Sequence, residues 1–298
     1  MMDISQLKSM ILLLEDPDEL VFQQIKNNIF ENAELIRPYL DEFRTLSTDG
    51  LFQVRLQNIS DQIDTMSSLT QIENWVNRIE PNLIDAIVII QDAVFPEYDP
   101  INTLNEFKKL KQKIWIELSK SQTAIEQIKI INQYLYHNFG LRSLNPESIS
   151  INQLCFHNIF QDKQANNLMQ AIFYAALTQS LDLPVFPVIL PDMFVLAYKN
   201  RAIAELSFAN EQHYDVVFYI NPYEEGKLFS KTLIEKYLES KDIEPKDFYF
   251  APVENIASVL IYLRLLLKTI EIDNKEDYRI GMIKQMIKIL SEKVEKSK

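Results

Sequence analysis

Residues 183–200, LPVFPVILPDMFVLAYKN, hold two short apolar runs on either side of the corner Leu190-Pro191-Asp192. Both runs are β-branched and aromatic and too short for good helices. They read as two strands, 185–190 and 194–199, joined by a tight turn. DVVFYI (215–220) reads as a third strand, ended by Asn221-Pro222. Between them, RAIAELS (201–207) is either another strand or an excursion. The runs are nearly continuous rather than alternating, which predicts a sheet covered on both faces. Antiparallel pairing of the second and third runs sets Met193 facing Asn221. Met193 stands at the mouth of its strand, where catalytic side chains are often held, yet a thioether offers no useful proton.

Outward from this sheet the chain reads as helical. Residues 1–140 are helix after helix, with breaks near Pro17, Pro38, Asp49-Gly50, Pro81, and Pro96 to Pro100. Thr123 and Glu126 have the spacing of a capping box, in which each end satisfies the other's orphan amide. Ile128, Ile131 and Leu135 then repeat on one face. Trp75 and Trp115 fall in apolar stripes and read as core. Asn145-Pro146 marks a turn. A short helix over about 150–160 follows, then a longer one over 166–181, and every strand of consequence is expected between about 184 and 222. Ser230 looks like the N-cap of a helix over 231–239. Helices over 253–272 and 275–294 close the chain, the last with Ile283, Met286, Ile287, Leu290 and Val294 on one face. The expected class is α+β: mostly helical, with a small antiparallel sheet packed on a central helix and a C-terminal helical tail. The expected parts are a helical region (1–145), a core (146–245) and a tail of one helix pair (246–298), joined in one compact unit.

The chain has 298 residues, 47% hydrophobic and 24% charged, an ordinary composition for a soluble globular protein with a real core. A net charge of −12 argues against nucleic acid and against anionic membrane surfaces, because both need clustered Lys and Arg. The single cysteine, Cys155, rules out an internal disulfide and a Cys-rich zinc site. The start MMDISQLKSM has no basic n-region, and the longest apolar stretch, LIDAIVII (83–90), contains Asp85 and is too short to span a bilayer. A cytoplasmic location is expected. There are four glycines, Gly50, Gly140, Gly226 and Gly281, where a chain of this length averages roughly 20. Gly-rich phosphate-cradling loops cannot be written with them. No cofactor and no metal are expected.

Three segments, QANNLMQAIFYAAL (164–177), LPVFPVILPDMFVLAY (183–198) and FYINPYEEGKLFSKTLIEKYL (218–238), carry a resemblance. In this order and spacing they resemble the transglutaminase-like superfamily, in particular its SirB-type bacterial branch, with helices before the core and a TPR-like tail after it. That family's Lys-Gly-Asn-Pro lead-in appears here as Gln164-Ala165-Asn166-Asn167. Its Pro-x-His-Phe corner appears as Pro191-Asp192-Met193-Phe194. Its Asp/Asn-Pro-Phe, followed by Gly, appears as Asn221-Pro222-Tyr223 and Gly226. The resemblance implies a nucleophile near the start of a helix, activated by the helix dipole and an imidazole, with an orienting residue behind the imidazole. Carried over residue by residue, the nucleophile position falls on Met169, the base on Met193 and the orienter on Asn221. Shifting the first by one residue gives Leu168 or Gln170, and neither is a nucleophile. Only the orienter is chemically acceptable, since papain-like sites use Asn there. The resemblance therefore implies a degenerate site in which Met169, Met193 and Asn221 lie together without chemistry.

Of the remaining candidates, His137 ends a helix, His213 lies in a polar loop, and His157 follows Cys155 at i+2 on an expected helix, so the two point apart. Cys-x-His alone lacks the ligands of a metal site. Glu224-Glu225, and Asp92 with Glu97 and Asp99, read as solvated acidic turns. Two functions from different classes follow. The first is a non-catalytic transglutaminase-like protein that binds another protein or serves as a structural partner. The second is a cysteine-dependent amidase or acyl transferase using Cys155, with His213 or His157 as base. Cys155 is expected to be buried, with no histidine in reach.

Overall fold

The computed structural model describes residues 4–95, 97–144, 149–200, 214–274, 277 and 279–296. The turn at Asn145-Pro146, the stretch 201–207 and His213 lie outside the described residues. The chain divides into two compact units, residues 1–71 and 72–298. The divisions anticipated near 145 and 245 both fall inside the second.

The first unit is helical: α1 (Ile4–Leu12), α2 (Glu19–Glu31), the short α3 (Ala33–Ile36) and α4 (Leu40–Phe43), and the first part of α5 (Gly50–Val76). Its own apolar cluster runs from Leu7 to Ile63 and includes the fully buried Ile11, Ile29, Phe43, Phe52 and Ile59.

The second unit opens with α6 (Leu83–Val94), α7 (Pro100–Glu117) and α8 (Ala124–Asn132). In α6 the apolar residues at 83, 86, 87, 90 and 94 are all buried, and the Asn82 side chain caps the Asp85 amide at 2.9 Å. The capping box at Thr123 and Glu126 is present, and Ile128, Ile131 and Leu135 are fully buried behind it. Of the two tryptophans, Trp75 is fully buried and donates to the Asn82 carbonyl, but Trp115 is 65% exposed. The core face of α7 runs Thr103, Phe107, Leu110, Ile114, and Trp115 stands one residue, or about 100°, off it. The end of α8 widens into a π-helical turn over Gln133–Asn138.

Next come β1 (Arg142–Ser143), a 3₁₀ turn (Ile151–Leu154), α9 (Phe156–Asp162) and β2 (Gln164–Ala165), with β1 and β2 paired in parallel. The single helix expected over 150–160 is thus two pieces, broken at Cys155, whose backbone is extended. The central helix α10 (Asn167–Ser180) leads into β3 (Val185–Leu190), β4 (Met193–Lys199), β5 (Val216–Asn221) and β6 (Lys227–Phe229). These four strands form an antiparallel sheet in sequence order. β6 lies beyond the limit of 222 set from sequence. It is three residues long, and the chain reaches it through Glu225 and Gly226, both at positive φ (52° and 73°), which turn it straight back along β5. The tail is α11 (Lys231–Glu239), α12 (Asn255–Asp273) and α13 (Arg279–Lys296). Among the described residues no helix is long and apolar enough to cross a membrane.

Both faces of the sheet are covered, as the continuous apolar runs require. Met193, Val195, Ala197 and Tyr219 share one face with Val188 and Leu190, packed against Ile234 and Leu238 of α11 and against Phe250. Leu196 and Ile220, opposite each other in register, are wholly buried on the other face, where α10 crosses β3 and β4.

Candidate functional site

The three segments that carry the resemblance meet in one corner, and most of the side chains that hold them there are uncharged. At the start of α10, the Asn166 side chain accepts from the Met169 amide at 3.0 Å and donates to the Gln153 carbonyl at 3.1 Å. The next residue, Asn167, reaches β4: its Oδ1 accepts from the Phe194 amide and its Nδ2 donates to the Phe194 carbonyl. The strand register explains this bond. Leu190 and Met193 close a two-residue hairpin, so the Phe194 amide and carbonyl point toward β5. Leu196 pairs with Ile220, and extending that ladder places Pro222 opposite Phe194. Proline has no N–H to give. The Asn167 carboxamide, a side-chain copy of a peptide group, supplies both the acceptor and the donor.

The other side of the corner is tied to α8 and its π turn. Asn132 donates to the Gly226 carbonyl and accepts from the Tyr174 hydroxyl, both at 2.7 Å. The Tyr136 hydroxyl donates to the Pro222 carbonyl at 2.9 Å. A side chain on Gly226 would put its Cβ 2.1 Å from Asn132 Oδ1, so this glycine serves both a positive φ and a close approach. Gln170, fully buried, donates to Ser143 Oγ and to the Ala165 carbonyl at 3.0 Å each, and Ser143 passes the link to the Tyr223 carbonyl at 2.7 Å. The hairpin turn is held from α11 by the Tyr237 hydroxyl on the Pro191 carbonyl and by a 2.9 Å ion pair between Lys241 and Asp192.

Within this corner the three positions do not share one surface. Met169 is wholly buried on α10. Met193 is half-buried and packs on the opposite, α11 side of the sheet. Asn221 does not face Met193 directly: the register sets it opposite Val195, two residues further along β4. Its Oδ1 accepts from the Tyr223 amide at 3.1 Å, capping the 3₁₀ turn Pro222–Glu224. The expectation that the three side chains lie together is corrected here: the side chain at 193 lies across the sheet from α10, so the carry-over that gives it the base position beside Met169 does not hold in this geometry.

Cys155 is 5% exposed and occupies the N-cap position of α9. The backbone amides of His157 and Asn158 near its sulfur favour the thiolate, but burial outweighs them and pushes the thiol up to about 11. Its other neighbour is Gln91 Oε1 at 3.7 Å. Among the described residues no imidazole bonds the sulfur; the His157 ring instead meets Gln161 at 2.6 Å. Cys155 lies in the wall of a cavity of about 390 Å³ with Glu97, Tyr98 and His157. Among the described residues no group of three His, Cys, Asp or Glu side chains is placed to hold a metal ion.

Gln91 and Asn132 went unremarked in the sequence, and Asn167 and Gln170 were named there only as lead-in and shifted-nucleophile positions, not as fastenings of the corner. Gln91 had a signal: it follows Ile87 and precedes Val94 on the buried face of α6, where an amide needs a partner. It finds Tyr262, Leu154 and the Phe156 amide. Asn167 had only its difference from the Pro of the resembling lead-in.

A family model described as the transglutaminase-like superfamily matches residues 102–264, more than half of the chain, and the protein belongs to that superfamily. The match runs from within α7 to within α12 and contains the whole corner. No curated protein and no solved structure matches the chain.

Proposed function

We propose that this is a non-catalytic member of the superfamily, of its SirB-type branch, which works by binding another protein or as a structural partner. The observation that carries the reading is that neither the start of α10, with Asn166, Asn167, Leu168, the thioether Met169 and Gln170, nor β4, which opens on the thioether Met193, offers a nucleophile or an imidazole. A thioether neither takes nor gives a proton, and burying one of them completely leaves no reactive atom at the start of α10. The third position is occupied locally, because the Asn221 oxygen caps its own turn. The long helices α12 and α13 pack on each other, which supports reading them as the TPR-like tail that the resemblance implies. The net charge of −12 favours a protein partner over nucleic acid or an anionic membrane.

The competing enzyme reading needs Cys155 as a thiolate, and the raised thiol counts against it. Hydrolysis of an activated ester and of a chromogenic amide by wild type and by Cys155→Ala decides between the two. The pseudoenzyme reading expects both proteins to match buffer. Turnover by wild type that Cys155→Ala loses would overturn it and assign the chemistry to Cys155.

A further inference from the structure

In a protein of net charge −12, one concave surface is basic. Glu106, Lys109, Leu110 and Lys113 recur on one face of α7 and line a cavity of about 440 Å³, closed by Tyr134, Asn138, Phe139 and Lys163. The π-helical turn presents Asn138 and then Phe139 at its end. Such widened turns recur at functional sites because they re-aim the side chains that follow.

The ammonium of Lys163 is fixed in place. Its residue has left-handed backbone (φ 56°), its Nζ donates to the Phe160 carbonyl at 2.5 Å, and it stands 3.8 Å from the centre of the Phe139 ring. Burial lowers its pKa, and Glu106 opposes that shift in part. Lys109 pairs with Glu106 at 2.7 Å. Lys113 is exposed and has no ion pair among the described residues. Glu117, one turn beyond, receives the Tyr134 hydroxyl at 3.0 Å. The cavity wall thus carries three ammonium groups against one carboxylate, an excess of two charges.

We propose that this cavity binds a small phosphate monoester, with Lys109, Lys113 and Lys163 on the phosphate and the organic group against Leu110 and Phe139. The charge selects the class. A phosphate monoester carries about −1.5 to −2 near neutral pH and balances the excess, whereas a carboxylate leaves one ammonium uncompensated. Lysine engages phosphate as a point charge, so no fixed fork geometry is required. The volume exceeds the need of a bare phosphate ion and leaves room for the ester's substituent.

The test is calorimetric titration of the full-length protein with phenyl phosphate, with inorganic phosphate and benzoate as comparison probes. Phenyl phosphate binding more tightly than either is the expected result. Lys113→Ala, an exposed change that does not threaten the fold, weakens it about threefold to tenfold, and Lys113→Arg retains it. Lys163→Ala weakens it at least as much, with circular dichroism reporting whether that variant is folded. Benzoate binding as tightly as phenyl phosphate would overturn the choice of phosphate. Equal affinity in wild type and Lys113→Ala, or an equal loss in Lys236→Ala on α11, would overturn the site.

Discussion

At the residue scale, Cys155 shows two opposed effects on one atom. Two backbone amides at the start of α9 draw the thiol toward ionisation, and burial drives it the other way and prevails. Alkylation by iodoacetamide near pH 8 is expected to run about 100-fold slower than for an unperturbed thiol, following the smaller thiolate fraction. Mass-spectrometric time courses across pH check this, and a rate that levels off below pH 9 would contradict it. The same shift has a thermodynamic sign. The folded protein holds the thiol proton more tightly than the unfolded chain, so the contribution is complete below the ordinary thiol pKa. It is lost as pH rises from there through about 11. Met169 and Met193 carry the second expectation. The double variant Met169→Cys, Met193→His gains no measurable acyl transfer or amide hydrolysis, because α10 and the side chain at 193 lie on opposite faces of the sheet. Burst-phase assay with an activated ester reads this; a burst from the double variant would show the two groups meeting.

At the scale of elements, the turn from β5 to β6 depends on one glycine. Gly226→Ala forces a Cβ onto the Asn132 carboxamide at a φ that only glycine adopts freely. A loss of about 3 kcal/mol in denaturant unfolding is expected, from left-handed strain plus the disturbed Asn132 bonds. Removing the obstruction as well, in Asn132→Ala, Gly226→Ala, should cost less than the sum of the single changes, because both act on one contact. This turn also shows how far the sequence could be read. The apolar runs 185–190, 194–199 and 215–220 gave the three main strands, since period and residue type are local properties. β6 escaped, because three residues, Lys227-Leu228-Phe229, hold too little pattern to register as a strand. The break at Cys155 escaped for a related reason: INQLCFHNIF is apolar enough for one helix, and it is Gln91, 65 residues away, that accepts the amide freed at Phe156. The corner was legible as a meeting of three segments. Its fastening was not, because Asn167 answers a missing donor on Pro222, and that pairing exists only once the register is set.

At the scale of the whole molecule, two separate cores carry the stability. Phe43 is fully buried in the first unit, and both tryptophans belong to the second. Phe43→Ala is expected to cost the first unit about 3–5 kcal/mol. Far-UV circular dichroism should register the earlier loss of helix, while tryptophan fluorescence keeps its wild-type midpoint. A common shift of both signals would mean that the units unfold as one. In the second unit, the corner has a property of a different kind. The side chains that bind its segments together, Asn132, Tyr136, Ser143, Asn166, Asn167, Gln170 and Tyr174, are all uncharged in the physiological range. The only ionisable ones among them are the two tyrosines, and burial moves both further from neutrality. A thiolate–imidazolium pair in this place would make the architecture hostage to acidity and ionic strength. Here the charged tie is the exposed Lys241–Asp192 pair at the hairpin turn, apart from the bonds that join α10, β4 and β5. Hydrogen-exchange protection of the Phe194 amide, corrected for intrinsic rate, should stay level from mildly acidic to mildly alkaline solution and from low to high salt, so that the corner behaves as an inert joint under conditions that would dismantle a working catalytic centre.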